Sequence, residues 1–233
     1  MIDTRLILIE GLPGMGKSTT SAFVADRIQH EGLQASWFHE FSPDNPIALD
    51  VLAGFEGTQD WTLPDRSLPQ WHVLRQQLLC GSTSTILEGR FWQNRAAFMF
   101  LAGVPAEQII AADQRVYDSI ATINPVLIHL VPDDPQRHLK WVFQERCLAP
   151  DPRPPKMWTD WFVEIFATSV LGKSKQWQGF DGVVEGCTQW LQICEQMFVH
   201  FPGPKPAVRD PHADWDRTYR AIEELLRILP AKE

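Results

Sequence analysis

The sequence predicts an α/β protein, one domain built on a parallel β-sheet flanked by helices, and three observations carry that expectation. Short apolar runs such as Leu6-Ile7-Leu8-Ile9 and Val126-Leu127-Ile128-His129-Leu130-Val131 alternate with stretches of helical pattern. Strands separated by helices pair in parallel through right-handed crossovers. The first run leads into Gly11-Leu12-Pro13-Gly14-Met15-Gly16-Lys17-Ser18, a turn of pattern G-x-x-x-x-G-K-[ST] joining a strand to a helix. At 233 residues the chain suffices for one large core with a small lid, not for two independent domains.

Taken in order, a strand at 4–10 precedes the glycine-rich turn, and a helix at 17–31 follows it. A second strand at 34–39 ends in His39-Glu40. Residues 41–80 read as a loop-rich insertion, punctuated by Pro43, Pro46, Gly54, Gly57 and Pro64 and closed by a helix around 65–80. Thr85-Ile86-Leu87 is a short buried strand ending in Glu88-Gly89-Arg90, and helices at 91–102 and 105–123 are separated by Gly103 and Pro105. The run 126–131 between Pro125 and Pro132 is a clear strand. Asp133 or Asp134 then caps a helix that has Pro135 in its first turn and reaches about Arg146. Residues 149–156 carry four prolines, which fix φ and remove donors, so a lid at about 147–157 is expected there. Helices at 158–171 and 186–199, a proline-rich crossing at 202–206, a last strand at 206–209 and a helix near 212–229 complete the chain.

A net charge of -8 disfavours nucleic acid, whose grooves need a basic stripe that this chain lacks. No run approaches the roughly 18 apolar residues of a membrane span, and the apolar start is too short for a signal peptide. Cys80, Cys147, Cys187 and Cys194 form no C-x-x-C pair, in keeping with a reduced, cytoplasmic setting. The expected partners are a nucleotide and a small-molecule acceptor, without nucleic acid or membrane; a homodimer is left open.

The glycine-rich turn specifies chemistry as well as shape. Glycines let backbone N–H groups curl around a phosphate, and the following helix adds the positive end of its dipole. Gly11, Pro13, Gly14, Met15, Gly16, Lys17, Ser18 and Thr19 are the expected nucleotide-binding residues, with Lys17 reaching the β- and γ-phosphates and the Ser18 hydroxyl on Mg²⁺. Ligands of an open parallel sheet bind beyond the strand carboxyl ends. Three carboxylates, Glu10, Glu40 and Glu88, are placed there. Glu88 is the candidate for the Mg²⁺ shell, against the alternative of a helix-dipole partner. Glu40 is the candidate base for an acceptor hydroxyl, against that of a loop acid steadying a turn. Arg90, Arg95, Arg137, Arg146, Arg153 and Lys156 are the cations within reach of a phosphoryl group. Arg146 and Arg153 flank the lid, and Arg90 is placed to face the acceptor. Trp61, Trp71 and Trp92 offer ring faces for stacking, or else core packing, while Gln93 and Asn94 offer edge-reading hydrogen bonds.

The glycine-rich turn, Leu87-Glu88-Gly89-Arg90, the proline-led strand at 126–131 and the helix ending in Glu145-Arg146 together resemble the thymidylate kinase and deoxynucleoside kinase group of P-loop kinases. Arg90-Phe91-Trp92-Gln93-Asn94-Arg95, His39-Glu40 and Asp214-Trp215 look most like bacterial P-loop proteins of that kind without a settled activity. The resemblance implies a P-loop NTPase three-layer sandwich, five strands in the order 2-3-1-4-5, ATP with Mg²⁺, and an arginine-bearing lid. Glu40 falls where those kinases place a catalytic acid and Glu88 matches their acid after the third strand, although they put Arg directly after it and here Gly89 intervenes. The catalytic set expected is therefore Lys17, Glu40, Glu88, Arg90 and Arg146, for phosphoryl transfer to a small molecule, a nucleoside or nucleotide first. The competing reading is a nucleotide-dependent switch with slow hydrolysis.

Overall fold

Register along the central strand places the strand ends that matter for function. In the computed structural model, which describes residues 4–48, 67–147 and 157–228, β1 (Leu6–Gly11) lies between β3 (Ser84–Glu88) and β4 (Val126–Val131). β2 (Ala35–Phe38) pairs on the far side of β3, and β5 (Ala207–Arg209) on the far side of β4. All four pairings are parallel and the order is 2-3-1-4-5, as expected. Leu6, Ile7, Leu8, Ile9, Ile86, Leu87, Leu127 and Ile128 are fully buried, because helices cover both faces of the central strands. Ile9 pairs with Glu88, and Phe38 with Leu87. The carboxyl ends of β1, β2 and β3 therefore finish level, and Gly11, His39-Glu40 and Glu88 meet at one rim.

The helices are α1 (Lys17–His30), α2 (Leu68–Cys80), α3 (Ala96–Leu101), α4 (Ala106–Ile120), α5 (Pro135–Arg146), α6 (Trp158–Thr168), α7 (Val170–Lys175), α8 (Gly179–His200) and α9 (Trp215–Ile228). The Asp134 carboxylate caps α5 by accepting from the Arg137 N–H at 2.9 Å, with Pro135 opening the helix. Three expected helices are corrected. The stretch 91–102 is helical only from Ala96, because the N–H groups of Phe91, Trp92 and Gln93 go to the Glu10 carboxylate. The stretch 158–171 breaks at Ser169, whose hydroxyl accepts from the Gly172 N–H and starts α7. The helix expected at 186–199 begins seven residues earlier, at Gly179. The lid residues 149–156, Arg153 and Lys156 among them, and Trp61 in the insertion lie outside the described residues.

One buried ion pair holds the helices beside the sheet. Arg95 and Asp113 form a 2.9 Å ion pair with both side chains buried, tying the start of α3 to α4. Removing either partner strands the other's charge in the interior, where it is costly. Arg95 is thus a structural cation, not one aimed at a phosphoryl group. No described helix is long and apolar enough to cross a membrane.

Candidate functional site

Gly14 and Gly16 hold left-handed backbone at φ 78° and 84°, a conformation that L side chains rarely adopt. A Cβ on Gly16 would also strike the Trp215 ring of α9. The turn so formed delivers the chain into α1 with no side-chain cap and no acidic residue in the first turn. The first N–H groups of a 14-residue helix, and the positive end of its dipole, are left for an anion. Lys17 folds back on the same turn: its buried ammonium donates to the carbonyls of Gly11 (3.1 Å) and Leu12 (3.3 Å). From outside, the His138 Nε2 lies 2.9 Å from the Pro13 carbonyl and the His212 Nε2 2.6 Å from that of Gly14. Both imidazoles must donate N–H there. Burial lowers the His138 pKa, which keeps that ring neutral with its proton on Nε2. The sequence reading did not single out these histidines, since nothing local places positions 138 and 212 against residues 13–14. The Met15 side chain is buried in the core, so it anchors the turn, while Thr19 stands exposed on the first turn of α1.

Glu88 bonds directly to the residue that closes the turn. Its Oε1 accepts from the Ser18 hydroxyl at 2.7 Å and its Oε2 from the Trp37 indole N–H at 3.2 Å, with the side chain 2% exposed. The His39 Nε2 is 3.8 Å from the same Oε1. Its Nδ1 accepts from the Phe41 N–H, and its backbone carbonyl accepts from the Asn45 side chain, so His39 is held in the turn after β2. Glu40 turns inward and accepts from the Gln93 side-chain N–H. Gly89 adopts φ 63°, and a Cβ there would sit 2.8 Å from the Glu40 Oε2. The glycine between Glu88 and Arg90 is what lets the Glu40 carboxylate lie against the end of β3.

Glu10, grouped by sequence with the crevice acids, has another task. It is 1% exposed and accepts from the backbone N–H groups of Phe91 (2.8 Å), Trp92 (3.1 Å) and Gln93 (3.2 Å). Burial pushes its pKa up to about 7, against the lowering effect of those N–H groups and of Lys17. From pH 4.5 to about 7 the folded chain holds a proton that the unfolded chain has released, so stability falls as pH rises through that window. The contribution of this one group is about 3 kcal/mol at most. In thermal melts, Glu10→Gln should flatten the decline in midpoint between about pH 5 and about pH 7.5. Equal slopes in the two proteins would show that Glu10 ionises without cost.

Arg90 is 4% exposed, and its Nε and Nη1 have no hydrogen-bond partner. Burial lowers its pKa to about 10, opposed by the charges of Glu40 and then Glu10, so it stays cationic at neutral pH. Its charge interacts with those of Glu40 and Glu10. Arg146, at the end of α5, stacks its guanidinium 4.8 Å from the Trp158 ring centroid. Arg137 pairs with Asp210 at 3.1 Å.

Trp71 and Trp92 are 0% and 1% exposed, core residues rather than stacking platforms. The aromatic wall lies elsewhere. A cavity opens beside Gly11, Leu12 and Pro13 and runs past Gln93 and Asn94 between α3, α6 and α8, with Trp161, Phe162 and Trp190 on its sides. The signal for it was present: aromatic residues at 158, 161, 162 and 166 make a helical stripe on α6. Among the described residues, no group of three or more His, Cys, Asp or Glu side chains gathers to hold a metal. No protein-family model matches this chain, and no curated protein matches it.

Proposed function

We propose that the protein is a P-loop kinase, of the kind that thymidylate and deoxynucleoside kinases exemplify, which transfers the γ-phosphoryl group of ATP to a hydroxyl of a small molecule. The observation that carries this reading is the uncapped start of α1 behind a left-handed glycine turn, with Lys17 folded onto the carbonyls of Gly11 and Leu12. Backbone N–H groups of residues 14–19 surround the phosphates in this proposal, and Lys17 exchanges its carbonyl partners for β- and γ-phosphate oxygens. The acceptor oxygen attacks the γ-phosphorus, the bond to the β,γ-bridging oxygen breaks, ADP leaves, and the acceptor proton passes to Glu40. Arg90 balances the charge of Glu40, and Arg146 and Arg153 bring cations from the lid. ATP places the activity in the cytoplasm, in keeping with four cysteines that are all free thiols.

The donor set suits Mg²⁺. Ser18 and Glu88 present hard oxygens already within hydrogen-bonding distance of each other, and would hold the ion alongside phosphate oxygens and water. An ion held by Ser18 and Glu88 would supply positive charge for the transfer. Two oxygen ligands would suit an ion that keeps several waters.

The test is ATP consumption across a Mg²⁺ titration in the wild-type protein and in Glu88→Gln. The wild type should require Mg²⁺, and the variant should lose about a hundredfold in rate with its half-saturation shifted to higher Mg²⁺. A Mg²⁺ curve that Glu88→Gln leaves unaltered would return Glu88 to a role at the start of the next turn.

A further inference from the structure

The cavity beside the glycine turn has a lining that selects among acceptors. Its walls are Phe98, Phe100, Trp161, Phe162, Phe166 and Trp190, with Leu101, Ile165 and Cys187 between them. Burial raises the Cys187 pKa far above the ordinary thiol range, so that side chain is an uncharged part of the wall. No lysine or arginine is among the described residues that line it. An acceptor phosphate would carry close to two negative charges in among these described residues with no cation beside it, a costly desolvation. A polyhydroxylated sugar would leave most of its hydroxyls against aromatic rings.

Two polar atoms stand out on residues that line the cavity. The Gln93 side chain donates to Glu40 through Nε2, and its Oε1 is buried with no partner. Asn94, 7% exposed, has a buried Nδ2 with no partner. Adjacent residues that line the cavity thus carry one unmet acceptor and one unmet donor, and orphaned groups of this kind cost stability until something satisfies them.

We propose that the cavity takes an uncharged, largely apolar ring-bearing alcohol with a lactam or amide edge. Its N–H donates to the Gln93 Oε1 and its C=O accepts from the Asn94 Nδ2. The ring system lies among Phe98, Phe162 and Trp190, and the hydroxyl is left beside Glu40. This assignment deepens the kinase reading and rests on it for turnover, whereas binding can be measured independently. It moves the acceptor away from phosphorylated nucleotides and toward compounds with few polar atoms beyond the edge and the hydroxyl.

The probes are 3-(2-hydroxyethyl)quinolin-2(1H)-one, 2-(2-naphthyl)ethanol, thymidine and thymidine 5′-monophosphate, titrated calorimetrically with Mg²⁺ and a non-hydrolysable ATP analogue present. The quinolinone should bind at least about tenfold more tightly than thymidine or its monophosphate. Trp161→Ala, at a half-buried position, should weaken the quinolinone and the naphthyl alcohol alike by about tenfold. Asn94→Leu should weaken only the quinolinone, and Ala97→Leu, which fills the cavity, should weaken both. Melting curves establish that each variant is folded. Tighter binding of thymidine 5′-monophosphate, or quinolinone affinity that Trp161→Ala and Ala97→Leu both leave unchanged, would overturn the assignment. Should the quinolinone bind as described while the ATP analogue does not bind, the cavity stands and the kinase reading falls. Should the analogue bind and the monophosphate be phosphorylated in preference, the kinase reading stands and this inference falls.

Discussion

Lys17→Ala is expected to abolish turnover, by about a thousandfold or more, and to weaken Mg·ATP by at least about tenfold, while the protein stays folded. The ammonium is the one side-chain charge that the turn holds at its own mouth, buried and bonded to the carbonyls of Gly11 and Leu12. No helix N–H can replace it, because the N–H groups are fixed in the backbone while Lys17 can follow the γ-phosphoryl group as its bonds change. Removing it leaves two carbonyls without that donor, a stability cost of about 1–2 kcal/mol. It also takes away a charge that lowers the Glu10 pKa, so Glu10 should titrate still higher in the variant. Lys17→Met separates these effects, since it keeps most of the packing and loses only the charge. Steady-state rates and calorimetry on both variants make the check, and a folded Lys17→Ala protein with undiminished turnover would end the phosphate-loop reading.

The parts of the fold that were legible in the sequence are those in which local chemistry and tertiary demand agree. The strand at 126–131 is closed by a proline at each end and buried throughout its middle, and the glycine turn admits few other residues at φ 78° and 84°. The errors arise where distant contacts decide. Gly179, Gly182 and Gly186 argue locally against a helix, each costing about 1 kcal/mol relative to alanine. Yet α8 starts at Gly179, because Gly182 lies against the Trp177 backbone and Gly186 against the Phe166 ring, too close for any side chain. Residues 91–95 carry a helical pattern, but Glu10, some eighty residues earlier, takes the N–H groups that would have opened the helix.

The site divides in the same way. Ser18, Glu88 and Glu40 were readable because the glycine turn leads from β1 to Ser18 while Glu88 ends β3 and Glu40 follows β2, and the register sets those strand ends side by side. The cavity was not, because α3 and α6 each contribute four residues and α8 two, and the periodicity of one helix does not reveal which others it meets. Tryptophan content misled for the same reason. Trp71 packs its ring edge-on to Phe91 and Trp92 stacks on it, so those rings serve the core. Trp161, which no motif marks, faces the cavity.

Glu40→Gln separates a kinase from a nucleotide-dependent switch. A proton-accepting carboxylate acts when the acceptor hydroxyl attacks and contributes nothing to bound ATP, so the variant should lose about a hundredfold or more in acceptor phosphorylation with nucleotide affinity almost unchanged. Glutamine is nearly isosteric, but its NH₂ cannot accept the Gln93 N–H that the Glu40 Oε2 now receives. The buried Arg90 guanidinium would also lose the first of the two charges that oppose its desolvation. Some loss of stability therefore accompanies the loss of rate, and Glu40→Asp measures how much of the effect is placement. Aspartate keeps the base and the charge but shortens the reach, so it should restore part of the stability and little of the rate. Gly89→Ala approaches the same carboxylate from the other side: its Cβ would displace the Glu40 Oε2, and it should lower the rate with Glu40 itself intact. A switch predicts a different outcome, in which slow ATP hydrolysis and nucleotide affinity are equal in wild type, Glu40→Gln and Gly89→Ala, and no acceptor accelerates ADP release. Full acceptor phosphorylation by Glu40→Gln would instead point to an acceptor phosphate, which needs no base, and would count against the uncharged alcohol as well.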